Sequence, residues 1–127
     1  MNRILVAEDN AVNLELLREM LEALCCEVIE ATNGEQALAK VEETNPDLIL
    51  LDINMPKMNG YDVLSRLRQN RRFCHLPVLA VTAYAMKEDQ QKVLDAGFNG
   101  YLPKPIDTGR LLHELRRFGM LRDYTSR

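Results

Sequence analysis

Asp52 closes a run of four apolar residues, Leu48-Ile49-Leu50-Leu51, and Pro56 and Asn59-Gly60 follow it. The run reads as a strand buried on both faces; proline then blocks its continuation and Asn-Gly marks a turn. A carboxylate at the carboxyl end of such a strand sits where open α/β sheets bind ligands. Three other short apolar runs also end in chemically active residues. Ile4–Ala7 ends in Glu8 and Asp9, Val78–Val81 in Thr82-Ala83, and Tyr101-Leu102 runs through Pro103 to Lys104. If these strands are parallel, three carboxylates, a hydroxyl and an ammonium share one edge. Three packed carboxylates cannot all stay ionised without a counter-charge. Oxygen-only ligands suit Mg²⁺, or Mn²⁺, better than Zn²⁺. A cation, a lysine and a hydroxyl together trap a dianionic phosphoryl group, and a carboxylate can accept it as an aspartyl-phosphate. Asp52 is the expected phosphoacceptor, and Glu8 and Asp9, with Asp52, the expected metal ligands. Lys104 would neutralise phosphoryl oxygens, Thr82 would hydrogen-bond them, and small Ala83 would leave them room. The bland alternative, that Asp52 only caps the next helix, does not account for active residues at four strand ends.

The positioning elements follow from periodicity. Helical spacing predicts a first helix over about Asn10 to Cys25, with Leu16, Leu17, Met20, Leu21 and Leu24 as its core stripe and Leu14 at the stripe's edge. Asn13, near the helix start and close to the two acids, is expected to hydrogen-bond the adjacent loop. Val28-Ile29 with Ala31 reads as a second strand. Asn33 with Gln36 three residues on resembles a capping box opening a helix over about Gly34 to Thr44. Asn59-Gly60 leads into a third helix with Val63, Leu64 and Leu67 inward and Arg66, Arg68, Arg71 and Arg72 outward. A polar helix over roughly Met86 to Ala96, stopped by Gly97, has thin apolar content and should be the least anchored. Asp107 is expected to cap a last helix with Leu111, Leu112, Leu115 and Phe118 as core. Strand and helix alternate five times, which requires crossovers and hence an α/β fold, a doubly wound parallel sheet of five βα units.

A chain of 127 residues with 46% hydrophobic and 28% charged residues suits one domain. The expected boundaries are 1–119 for the domain and 120–127 for a short tail. The net charge of −3 offers no attraction to nucleic acid or an anionic membrane. The arginines of the third helix read as a solvated end with cations near the negative helix terminus. Apolar runs are too short to span a membrane, and Met1 leads straight into a strand, leaving no room for a signal peptide. Cys25, Cys26 and Cys74 make a poor disulfide framework and read as core or near-core thiols in a reducing cytoplasm.

Jointly, Glu8-Asp9, Leu50-Leu51-Asp52-Ile53-Asn54-Met55-Pro56 with Gly60, Val81-Thr82-Ala83 and Lys104-Pro105 resemble a response-regulator receiver domain of two-component signalling. The resemblance runs from residue 3 to about 118 and is to the stand-alone type without an output domain. It implies a flavodoxin-like strand order 2-1-3-4-5. It implies that Asp52 takes a phosphoryl group from a histidine kinase or a histidine phosphotransfer protein, and that Asn54 gives a backbone carbonyl to Mg²⁺. It further implies that Thr82 and Tyr101 move together as a switch, against the alternative that Tyr101 is packed permanently at the sheet edge. Glu8, where an acidic pair of aspartates is usual, is one mild departure. Asn10 with Asn13 is similar to receivers in hybrid kinases and phosphorelay regulators.

On this reading the chain is a phospho-switch and not an enzyme beyond its own phosphorylation and self-dephosphorylation. Asn54 and Tyr84 would tune the hydrolysis, Tyr84 by obstructing water. Leu14 is either a contact for a docking kinase or phosphotransfer helix or a peripheral core leucine. Phosphorylation would alter binding to a downstream protein, as a monomer or a phosphorylation-dependent dimer. A haloacid-dehalogenase-like phosphatase is disfavoured because Asn54 stands where a general acid is needed and no cap domain fits. A degenerate scaffold receiver, acting by protein binding alone, would lack the acceptor, the acids or the lysine. Nucleotide-binding glycine motifs are absent from the sequence.

Overall fold

The computed structural model describes residues 2–83 and 86–120. The chain alternates β1 (Arg3–Ala7), α1 (Ala11–Ala23), β2 (Glu27–Ala31), α2 (Gly34–Thr44), β3 (Leu48–Asp52), α3 (Gly60–Gln69), β4 (Val78–Thr82), α4 (Lys87–Ala96), β5 (Gly100–Pro103) and α5 (Thr108–Arg117). The five strands form one parallel sheet in the order β2-β1-β3-β4-β5. This is the doubly wound arrangement expected from the alternation.

Every residue of β3 and β4 is buried, because helices cover both faces of the sheet. Side chains alternate between the faces. Ile49 and Leu51 join Leu5, Val63, Leu67 and Phe98 in one core, while Leu48 and Leu50 join Ile4, Val6, Leu17, Leu21 and Leu115 in the other. Register aligns the strand ends: Ala7 lies opposite Leu51, Asp52 opposite Val81, and Thr82 opposite Pro103. The residues that follow β1 and β5 therefore emerge beside the last residues of β3 and β4.

Side-chain caps fix four helix starts. Asn10, Asn33, Asn59 and Asp107 accept hydrogen bonds from the backbone N–H groups of Asn13, Gln36, Asp62 and Arg110. Gln36 reaches back to the N–H and hydroxyl of Thr32, one residue earlier than a strict capping box requires. Helix α4 has Met86 at its N-cap, makes no side-chain cap hydrogen bond and buries only Val93, which makes it the least anchored helix. Gly97, at φ 109°, ends it in the left-handed conformation expected.

Three expectations need correction. The buried stripe of α1 is Leu14, Leu17 and Leu21, whereas Leu16 is 40% exposed. At about 100° per residue, Leu16 points roughly opposite to Leu14. Helix α1 also stops at Ala23; Cys25, at φ 63°, turns the chain and is exposed, so only Cys26 is a core thiol and Cys74 is intermediate. Finally, Arg68 does not point outward. Its guanidinium donates to the carbonyls of Phe73, Cys74, Leu76 and Gly97 and to Asn99 Oδ1, at 2.8–3.4 Å. It ties the α3–β4 connection to the turn before β5. None of the described helices is long and apolar enough to cross a membrane.

Candidate functional site

Glu8 follows β1 directly, its N–H bonded to Ala31 O at 3.0 Å, and is 1% exposed. Asp52, the last residue of β3, is 2% exposed. The loop after it is held close. Asp52 Oδ1 accepts from the Asn54 N–H at 3.0 Å, and Gly60 donates its N–H to Ile53 O at 2.9 Å. A Cβ on Gly60 would stand 2.8 Å from Asp52 O and from Ile53 Cα, so glycine alone permits this return of the chain. Gly34 plays the matching part on α2, where a Cβ would meet Met58 O at 2.3 Å.

Lys104 comes in from the far end of the sheet. Its backbone N–H bonds Thr82 O at 2.8 Å, and its peptide to Pro105 is cis. Its ammonium contacts Glu8 Oε1 at 2.9 Å, Glu8 Oε2 at 3.3 Å and Asp52 Oδ2 at 3.0 Å. Asp9 is exposed at the rim, and one ligand oxygen from each of Glu8, Asp9 and Asp52 lies within 4.8 Å of the others. Thr82 is buried at the end of β4 and Ala83 is exposed beside it.

The electrostatics are unbalanced. Burial pushes the Glu8 carboxyl up to about 7, with the Asp52 carboxylate adding to the rise and Lys104 and Asn13 opposing it. Burial alone would lower the Lys104 ammonium, but its bonds to Glu8 and Asp52 outweigh that and raise it. Both partners move upward because one ammonium faces more than one carboxylate. An all-oxygen donor set with excess negative charge fits a hard divalent cation such as Mg²⁺.

Glu8, Asp9, Asp52, Thr82, Ala83 and Lys104 thus stand around the end of β3, with the Asn54 backbone beside them. Tyr101 stands elsewhere. Its half-buried ring lies under the Arg110 guanidinium, 5.3 Å from the centroid, and lines a groove of about 510 Å³ with Leu94, Asp107, His113 and Glu114. Leu14 is 9% exposed and belongs to the core, which favours the core reading over docking; Val12 and Leu16 are the exposed large apolar side chains of α1. Tyr84 lies outside the described residues. Sequence reading missed buried Glu114 on α5, paired to Arg117 Nη2 at 3.6 Å; glycine at 100, whose Cβ would stand 2.6 Å from Glu114 Oε1, was the available signal.

Known proteins show the family and the fold. Residues 4–116 match the family described as response regulator receiver domain. The chain is 37% identical over 115 residues to the polar-differentiation response regulator DivK of Brucella anthropi, covering 91% of this chain and 94% of that one. Among solved structures it resembles the chemotaxis protein CheY4 of Vibrio cholerae, with TM-score 0.86 and 30% identity over 93% of this chain and 98% of that one. It also resembles the receiver domain of the sensor histidine kinase PA1611 from Pseudomonas aeruginosa, solved with a magnesium ion coordinated in its active site cleft. There the TM-score is 0.85 and the identity 34%, over 92% and 96% of the two chains. The topology, the acid cluster and the lysine set against it therefore have one common explanation: this chain belongs to the response-regulator receiver domain family of two-component signalling.

Proposed function

We infer that the chain is a phosphorylation-dependent switch in a phosphorelay, with Asp52 as the acceptor. The observation that carries this is the carboxylate's setting: nearly buried at a strand end, one oxygen held by the Asn54 N–H and the other 3.0 Å from Lys104 Nζ. An Asp52 oxygen attacks the phosphorus of a phosphohistidine on a histidine kinase or phosphotransfer protein. The P–N bond breaks, and the imidazole leaves with the electron pair. Glu8, Asp9, Asp52 and the Asn54 carbonyl would hold a divalent cation, Mg²⁺ or Mn²⁺, which would supply positive charge for the phosphoryl oxygens. Lys104 transfers its contact from the carboxylates to those oxygens. The Thr82 hydroxyl donates to them and Ala83 leaves them space. Water attack on the same group, tuned by Asn54 and Tyr84, resets the switch.

Readout would use Thr82 and Tyr101, which flank the thinly anchored α4, and a downstream protein binding the face of α4, β5 and α5. Residues 1–119 act as the unit and 120–127 as a tail, in a reducing cytoplasm that suits three free cysteines. The phosphohistidine partner would dock on α1 through Val12 and Leu16. Incubation with acetyl phosphate, read by intact mass, tests the assignment. A single labile adduct that needs both Mg²⁺ and Asp52 is expected; an adduct on Asp52→Asn would overturn it.

A further inference from the structure

β5 is the last strand of the sheet, and α4 and α5 flank it from opposite faces: Val93 of α4 belongs to one core, Leu111 and Leu115 of α5 to the other. The groove of about 510 Å³ lies between those helices, with Gly100 and Tyr101 of β5 lining it. On the α4 side stands Leu94, a large apolar side chain left 46% exposed. Two acids and two arginines line the groove, so these formal charges balance, but they differ in what already holds them. Asp107 caps α5, its Oδ2 accepting the Arg110 backbone N–H at 3.1 Å. Glu114 is buried and has Arg117 Nη2 at 3.6 Å and His113 Nε2 at 3.9 Å. Arg117 in turn donates to the Asn99 carbonyl. Arg110 is exposed, and among the described residues its guanidinium makes no hydrogen bond or ion pair. It is set instead over the Tyr101 ring, 5.3 Å from the centroid.

We propose that Arg110 is the specificity-determining residue of this groove: positioned by the Tyr101 ring, it takes a carboxylate from an acidic, leucine-bearing segment of a downstream protein. The inference rests on the reading of α4, β5 and α5 as the face that such a protein binds. A cation over an aromatic face is held in place without using any of its N–H donors. All five guanidinium donors of Arg110 therefore stay available, in the fork that matches a carboxylate. The acids of the groove do not compete for that fork, because one is spent on the helix start and the other is buried against Arg117. An apolar side chain of the segment would rest on Leu94 and the Tyr101 ring. Leu94, Arg110 and His113 are themselves exposed, so the groove suits a segment laid on the surface better than a small molecule enclosed in a cleft. A shift of the Tyr101 ring would move what positions Arg110, so the segment's carboxylate and the ring's placement are coupled in both directions.

The test is an NMR chemical-shift titration of the unphosphorylated protein with two blocked tetrapeptides, Leu-Glu-Glu-Leu and Leu-Gln-Gln-Leu, followed at the Tyr101 amide and the Arg110 Nε–H. Wild type should bind the acidic peptide about two- to fivefold more tightly than its amide counterpart, the range for an exposed charge pair. That preference should shrink in high salt. Arg110→Gln should remove it. Tyr101→Phe, which keeps the ring, should retain it, whereas Tyr101→Leu should remove most of it. Adding Arg110→Gln to Tyr101→Leu should then cost less than it does in wild type, since the two residues act as a unit. Equal affinity for the two peptides overturns the proposal, as does a preference that survives Arg110→Gln or is unchanged in Tyr101→Leu. Phosphorylation by acetyl phosphate with Mg²⁺ should alter the wild-type affinity for the acidic peptide. An unaltered affinity with the adduct in place would overturn the reading of this face as the output surface and leave carboxylate recognition by Arg110 standing.

Discussion

Cation binding at the acid cluster should be proton-linked through Glu8, and the size of the effect can be worked out. The Glu8 carboxyl titrates at about 7 because it is buried, faces the Asp52 carboxylate and is only partly offset by Lys104 and Asn13. A divalent ion takes the ionised carboxylate, so it must displace the proton that Glu8 holds at low pH. With that pKa, the ionised fraction is about 0.9 at pH 8 and about 0.1 at pH 6. Apparent Mg²⁺ affinity should therefore fall about tenfold from pH 8 to pH 6. Titration calorimetry in two buffers of different ionisation enthalpy, at pH 7, should report release of about half a proton per ion bound. Glu8→Gln should abolish both the release and most of the pH dependence over this window. The same proton release in Glu8→Gln, or flat affinity from pH 6 to 8 in wild type, would refute the assignment of that pKa to Glu8.

Folding stability without the ion should respond with the opposite sign. A carboxyl whose pKa is raised from 4.5 to about 7 on folding holds its proton more tightly in the native state. Its ionisation costs stability progressively from pH 4.5 to 7, so Glu8→Gln should stabilise the ion-free protein at pH 8 by on the order of 2 kcal/mol. The gain should shrink towards pH 5 in urea titrations. Arg68→Ala should lose about 2–4 kcal/mol, since it removes donors to four carbonyls and Asn99, and Arg68→Lys should recover less than half of this. Gly60→Ala should cost about 1–3 kcal/mol and weaken Mg²⁺ binding, because the added Cβ would press on the Asp52 backbone itself. Leu14→Ala should cost about 2–4 kcal/mol in the urea midpoint, whereas Leu16→Ala should stay within about 0.5 kcal/mol and weaken phosphotransfer-partner binding instead.

What could be read in the sequence was whatever depends on chain order and local pattern. Strand ends are local features: an apolar run stops and a functional residue follows. Parallel order then gathers Glu8, Asp52, Thr82 and Lys104 at one edge without any knowledge of side-chain contacts. The helix caps read at Asn33 and Asp107 are equally local, and the structure adds Asn10 and Asn59 as caps of the same kind. The errors lie where the decisive partner is distant in sequence. Arg68 looks like a solvated arginine because its acceptors, at Leu76, Gly97 and Asn99, belong to connections whose path only the folded chain supplies. Leu14, Leu16 and Leu17 are all apolar, so periodicity alone leaves the facing of α1 ambiguous by a fraction of a turn. The double contact of Lys104 with Glu8 joins residues on opposite ends of the chain. The Lys92 ammonium over the Tyr61 ring, 5.4 Å from its centroid, similarly needs α3 and α4 to be placed side by side.

The central claim is that Asp52 is the residue that carries the phosphoryl group. Borohydride reduces an acyl phosphate to an alcohol and leaves free carboxylates untouched, so reducing the phosphorylated protein and sequencing its peptides by mass spectrometry locates the acceptor. We expect the reduced residue at position 52 alone, dependent on Mg²⁺ and absent when Asp52 is replaced by asparagine. Reduction at Glu8 or Asp9, or a stable phosphoester on Thr82, would contradict the account.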